Sequence, residues 1–75
     1  MKITVQGEKS FKVLTDQMLI GPSESGYTLA YSADNENFTE YDEATPANEN
    51  CIVNGAVRYS YWKLVGNTGE VTVIV

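Results

Sequence analysis

The sequence predicts an all-β fold, a small antiparallel β-sandwich or flattened barrel of about seven or eight short strands, in a single domain over residues 1–75. Three observations carry this expectation. Apolar and aromatic residues recur at every second position in YTLAYSADNENFTEY, residues 27–41, on both sides of a polar, turn-forming insert, which is the pattern of a β-hairpin. The same alternation returns in short runs along the chain, punctuated by glycine, proline and asparagine. No window reads as a helix, and no segment repeats.

Residues 1–6 alternate Ile3 and Val5 with Lys2 and Thr4, and Gly7 with Glu8 turns the chain. Residues 10–14 repeat the alternation through Phe11 and Val13, and residues 17–20 form a short apolar run closed by Gly21 and Pro22. After a polar connection at 23–26, Tyr27, Leu29 and Tyr31 share one strand face while Thr28, Ala30 and Ser32 share the other. The insert 33–37 holds Asp34 and two asparagines, residues that tolerate left-handed backbone and bond their own main chain in turns. Residues 38–41 are the return strand.

Residues 42–50 carry Pro46, three acids and two asparagines without periodicity, so they read as a surface loop suited to contacts. Residues 51–53 are a short apolar strand, Asn54 and Gly55 a tight-turn pair, and residues 57–65 the longest strand. In that strand Tyr59, Tyr61, Lys63 and Val65 lie on one side, with Arg58, Ser60, Trp62 and Leu64 on the other. Residues 66–69 read as another hairpin loop, and residues 70–75 return with Val71, Val73 and Val75 opposite Thr72 and Ile74. A terminal VTVIV is a sticky edge unless it lies centrally in a sheet or is covered.

Ten acidic residues against five basic give a formal charge of −5, which repels phosphate backbones and argues against nucleic acid as a ligand. No run approaches the roughly 18 apolar residues that span a bilayer. No basic stretch precedes an apolar one, so no export signal is expected, and the chain is expected to work inside a cell or in a particle assembled there. An unpaired Cys51 agrees with that setting.

With no histidine, one cysteine and no glycine-rich phosphate loop, the chain is expected to have no catalytic residues, no metal site and no cofactor. Glu40, Asp42 and Glu43 lie close in sequence, but acid-base work on a sugar needs a deep cleft, which so small a domain rarely forms. Asp34, Asn35, Glu36 and Asn37 offer oxygens without the spacing of a calcium loop, and turn chemistry explains them better. Asn37, Phe38 and Thr39 match a glycosylation acceptor, which has meaning only in a secreted chain. Cys51, in an apolar strand, reads as a small hydrophobe. Trp62 and the five tyrosines are either core or a stacking platform for sugar rings, and in a chain this short most of them are needed as core.

Small domains bury a modest share of their surface and usually need a staple. Neither an internal disulfide nor a soft-ligand metal site can form here, so the expected staple is a partner chain, in a homo-oligomer or as part of a larger assembly. The candidate contacts are Tyr59, Tyr61 and Trp62 on the longest strand, Thr45, Pro46 and Asn48 on the loop, and Val73, Ile74 and Val75 at the end.

YTLAYSADNENFTEY followed by RYSYWKLVGN resembles the later strands of discoidin-like, galactose-binding-type β-sandwiches, where a similar hairpin precedes an arginine-tyrosine strand. Tyr27, Tyr31, Ser32, Asp34, Phe38, Tyr41, Arg58, Tyr59 and Leu64 sit at matching positions. Asn35 and Glu36 stand where that turn ends in Asp-Gly, and Lys63 stands for a second arginine. A second resemblance rests on YxLxYSxDxxxF, ATPAxE and YxKLxGNTxxVTV across residues 27–75. These motifs look like those of small tailed-phage virion proteins, the capsid auxiliary or decoration proteins and head-fibre bases. That resemblance implies a structural, non-enzymatic protein of a virion, assembled in the host cytoplasm, which decorates or cements the capsid by contacts to the major capsid protein or another virion protein. The first resemblance implies the alternative, a small carbohydrate-binding module on a virion fibre or bacterial surface protein, with a glycan as ligand.

Overall fold

The computed structural model describes residues 1–13, 15–54 and 60–75. It is an all-β structure with eight strands among the described residues: β1 (Lys2–Gln6), β2 (Phe11–Lys12), β3 (Gln17–Ile20), β4 (Tyr27–Ser32), β5 (Thr39–Thr45), β6 (Cys51–Asn54), β7 (Tyr61–Val65) and β8 (Glu70–Ile74). They form two four-stranded sheets, β1-β8-β3-β6, here sheet A, and β2-β7-β4-β5, here sheet B. Every pairing is antiparallel. This is the small β-sandwich that the alternation predicts.

Period-two alternation explains which face each strand buries. In sheet A, Ile3, Val73, Ile20 and Cys51 oppose one another in register across all four strands, and Val5 pairs with Val71 and Met18 with Val53. In sheet B, Leu29 pairs with Leu64, and Trp62 lies between Phe11 and Tyr31. These two inner faces close on each other to form one core, in which Trp62, Met18, Ile20, Leu29 and Leu64 are the largest fully buried side chains.

The structure corrects three details of the strand reading. β5 does not stop at Tyr41. It runs to Thr45 through a β-bulge, because Ala30 opposes Glu40 while Thr28 opposes Ala44. The irregular loop therefore shrinks to residues 46–50, and Thr45, opposite Tyr27, is buried. The segment 66–69 is not a hairpin turn but crosses from one sheet to the other, since β7 belongs to sheet B and β8 to sheet A. The expected turn at Asn54 and Gly55 lies partly outside the described residues, as Gly55 does.

What holds the 66–69 crossing is Asn67, a buried side chain whose Nδ2 donates to Gly7 O and Gly69 O, both at 2.9 Å. Its Oδ1 accepts from the Ser23 hydroxyl at 2.7 Å. One amide thus ties the β1–β2 turn, the β3–β4 connection and the β7–β8 crossing. Gly26, with φ of 70°, is required nearby: a Cβ there would meet Thr45 O at 2.8 Å.

The chain's terminal VTVIV is not an edge. β8 lies between β1 and β3, which satisfies the condition under which its stickiness is harmless. Met1 and Val75 are joined as well, Val75 N donating to Met1 O at 2.8 Å.

Tyr27 is a buried side chain whose hydroxyl has no hydrogen-bond partner among the described residues. Burial pushes its pKa from 10.0 up to about 12, with ionised Cys51 adding to the shift; the neighbouring Thr45 hydroxyl offsets part of it without completing a hydrogen bond. Because the folded pKa is raised, the stability tied to the neutral phenol is complete below pH 10.0 and is lost as pH climbs toward about 12. Tyr27→Phe is expected to leave stability at pH 7 within about 1 kcal/mol of wild type, since no hydrogen bond is lost. It is also expected to flatten the fall in melting temperature between pH 9 and 12. Circular dichroism melts across that range measure both, and parallel pH profiles for the two proteins would contradict the assignment.

Candidate interaction surface

Two adjacent pairings place an apolar band on the outside of sheet A. Leu19 opposes Ile74 on one side and Ile52 on the other, so the three side chains line up across β8, β3 and β6. Their neighbours in sequence, Val73, Met18, Ile20 and Val53, are buried on the inner face. The alternation therefore forces the band outward. Ile52 is 60% exposed, Ile74 45% and Leu19 37%. Lys2 opposes Ile74 and ends the row on β1. A shallow groove runs beside the band, between Leu19, Ile74 and Val75 and the segment Thr15, Asp16 and Gln17.

The surroundings of the band carry little charge. The exposed positions of the four strands are otherwise Thr4, Gln6, Thr72, Gln17 and Asn54, with Lys2 and Glu70 as the charges. Gln17 Nε2 donates to Asn54 Oδ1 at 2.9 Å, a cross-strand bond that fixes the polar rim beside Leu19 and Ile52. An apolar centre, few charges and a hydrogen-bonded polar rim are the composition of a protein interface.

The nine residues expected to make contacts do not form one surface. Trp62 is 1% exposed and Val73 fully buried, and Thr45, opposite Tyr27 at the end of β5, is buried. Trp62 and Val73 belong to the chain's own core. Ile74 is exposed on the outer face of sheet A, with half-buried Val75 following it. Tyr61 is half-buried on the outer face of sheet B, where Lys12 Nζ lies 5.6 Å from its ring centroid. Pro46 and Asn48 are exposed on the loop, and Asn48 N donates to Ser23 O at 2.8 Å. Tyr59 lies outside the described residues.

Leu19 and Ile52 were missing from the expected contacts, although the sequence carried a signal for them. Within these strands residues 18–20 and 51–53 are apolar without interruption, as strands covered on both faces are. Only the pairing register shows that the second cover is absent within the described chain.

The outer face of sheet B is closed by its own side chains. Ala30 and Ser32 are buried there, and Lys63, opposite Ala30, places Nζ 4.3 Å from the centroid of Phe38. Tyr31, at the rim of the core, is 39% exposed and lies against Trp62 at 5.2 Å between centroids; Tyr41 meets the same indole edge-on at 5.4 Å. Trp62 itself is too deep to stack on a sugar, and among the described residues Tyr31 is the most exposed tyrosine.

The acidic hairpin tip is occupied by its own bonds. The Ser32 hydroxyl donates to Asp34 Oδ1 at 2.6 Å, Glu36 N and Asn37 N donate to the same oxygen at 2.9 Å, and Asn37 Nδ2 donates to Oδ2. The Ser32 hydroxyl first, then these amides, hold the Asp34 carboxyl far below the usual carboxylate range. Asn35 takes the left-handed conformation, φ 62°, as the turn chemistry predicts. Among the described residues no three acidic or cysteine side chains gather as a metal site.

Comparison of the chain with family models, with characterised proteins and with solved structures finds no match in any of the three.

Proposed function

We propose that this protein acts by binding rather than by catalysis, docking the outer face of sheet A onto a larger protein assembly. The case we favour is the shell of a tailed-phage virion, with the major capsid protein as partner and a decorating or cementing role. The observation that carries the proposal is the in-register band of Ile74, Leu19 and Ile52 in a face with little charge. The sequence resemblance of residues 27–75 to virion auxiliary proteins supports the choice of assembly.

The energetics suit a repeated weak contact. Covering a large aliphatic side chain completely is worth about 1.5–3 kcal/mol, and these three are already partly covered. One copy therefore binds weakly, and affinity comes from symmetric repetition across a shell. The test is co-sedimentation with empty shells assembled from the major capsid protein encoded in the same genome. The wild-type chain is expected to pellet with them. Leu19→Lys combined with Ile74→Lys, at two exposed positions, is expected to weaken binding at least tenfold with an unchanged circular dichroism spectrum. Equal pelleting by the double variant would overturn the proposal, as would saturable glycan-array binding that disappears in Tyr31→Ala.

A further inference from the structure

We propose that β6 is a self-association edge, pairing antiparallel with β6 of a second copy about a two-fold axis at Ile52, so that two copies of sheet A join into one continuous sheet. Among the described residues the sandwich has four edge strands, β1, β6, β2 and β5. Exposed edges invite pairing with other chains, and proteins guard them with charge, brevity or bulges. β5 carries Glu40 and the bulge; β2 is two residues long and includes Lys12; β1 includes Lys2. β6, with the sequence CIVN, has no charge, no proline and no bulge. Its outward residue, Ile52, is the most exposed of the three in the band.

The register follows from the geometry of the faces. A two-fold axis normal to the sheet keeps outer residues on the outer side, so Ile52 must oppose an outer residue of the other copy. Opposing Ile52 to Ile52 also sets Cys51 against Val53 on the inner side, which matches their inward neighbours in the core. A one-residue slip would turn every side chain to the wrong face. A two-residue slip would oppose Ile52 to Asn54 or Asn50. The favoured register extends the band without a break, from Ile74, Leu19 and Ile52 of one copy to Ile52, Leu19 and Ile74 of the other.

Charge and area set how strong this pairing is. β6 holds no acid, and Asp34, Glu36 and Glu40 belong to the hairpin of sheet B; Glu49, two residues before β6, is the nearest acid in sequence. A second copy can therefore approach this edge, although each copy carries −5. That repulsion is screened over a Debye length of about 10 Å at 0.1 M salt, so salt strengthens the pair; a basic foreign strand would instead be released by salt. Joining four-residue strands buries less than the roughly 1,200 Å² of a stable interface. The dimer is thus expected to be half formed at about 100 µM, a concentration that copies crowded on a surface exceed.

Sedimentation velocity of the full chain from 5 µM to 1 mM, in 0.05 M and 0.5 M NaCl, tests this. The expected result is a monomer–dimer equilibrium, at least threefold tighter in the higher salt. Ile52→Lys is expected to remain monomeric at every concentration with an unchanged circular dichroism spectrum. In a Cys51→Ser background, Ile52→Cys is expected to form an oxidised dimer and Asn54→Cys to form none. A wild-type monomer at 1 mM in both salts, association that salt weakens, a dimer that survives Ile52→Lys, or equal cross-linking at 54 would each overturn the assignment. No capsid enters this experiment, so its outcome is separate from that of the shell-binding test.

Discussion

Trp62→Ala is expected to lower the melting temperature by about 15–30 °C and to bring the protein close to unfolding at 37 °C. The indole is 1% exposed, opposes Phe11 and Tyr31 in register, and meets Tyr31 and Tyr41 at 5.2 and 5.4 Å. Its Nε1 donates to the Ser60 hydroxyl at 2.7 Å. Truncating a buried tryptophan costs about 3–5 kcal/mol through lost transfer energy and the cavity that remains. Small domains have about 5–15 kcal/mol in total, and in this size range each kcal/mol moves the midpoint by about 4–8 °C. Trp62→Phe keeps an aromatic ring between Phe11 and Tyr31 and is expected to lose less than half as much. Thermal melts followed by circular dichroism give both values. A shift below about 5 °C for the alanine variant would mean that the ring is not packed as described.

Asn67→Ala is expected to cost about 3 kcal/mol, nearly as much as a large core truncation, though it removes only a carboxamide. Three hydrogen bonds go with it, those to Gly7 O, to Gly69 O and from the Ser23 hydroxyl, each worth about 1 kcal/mol net. Asn67→Asp separates shape from chemistry. It keeps the size of the side chain but replaces the donor with a carboxylate facing two carbonyl oxygens, so it is expected to be at least as destabilising at pH 7. Part of that loss should return near pH 4, where the protonated acid supplies a donor again. Urea melts of both variants at the two pH values measure this. If the aspartate variant showed no recovery in acid, the two carbonyl acceptors would not be what Asn67 holds.

The strands were legible because a period of two is written in the residues themselves. Ile3 with Val5, Phe11 with Val13, Leu29 with Tyr31, and Val71 with Val73 each point to the inner face that alternation assigns them. The choice of neighbour was not legible. A glycine-bounded link such as GNTG is compatible with a hairpin or with a crossing between sheets, and what decides is Asn67 bonding to residues some 40 and 60 positions away. The candidate surface was half legible for the same reason. Trp62 and Val73, expected from an aromatic-rich stretch and a strand end, lie inward. Leu19, Ile52 and Ile74 form a row only once β3 is known to lie between β6 and β8.

The order of strands also governs when the chain can fold. Every connection between the described strands except the β4–β5 hairpin changes sheet, and β8, the last of them in chain order, is the one that joins β1 to β3. A nascent chain that has not released Glu70–Ile74 has no neighbour for β1 and lacks Val71 and Val73 of the core. Assembly of the native state must therefore wait until translation of this stretch is finished. Long loops must then close before most pairings form, which makes folding slow for so short a polypeptide.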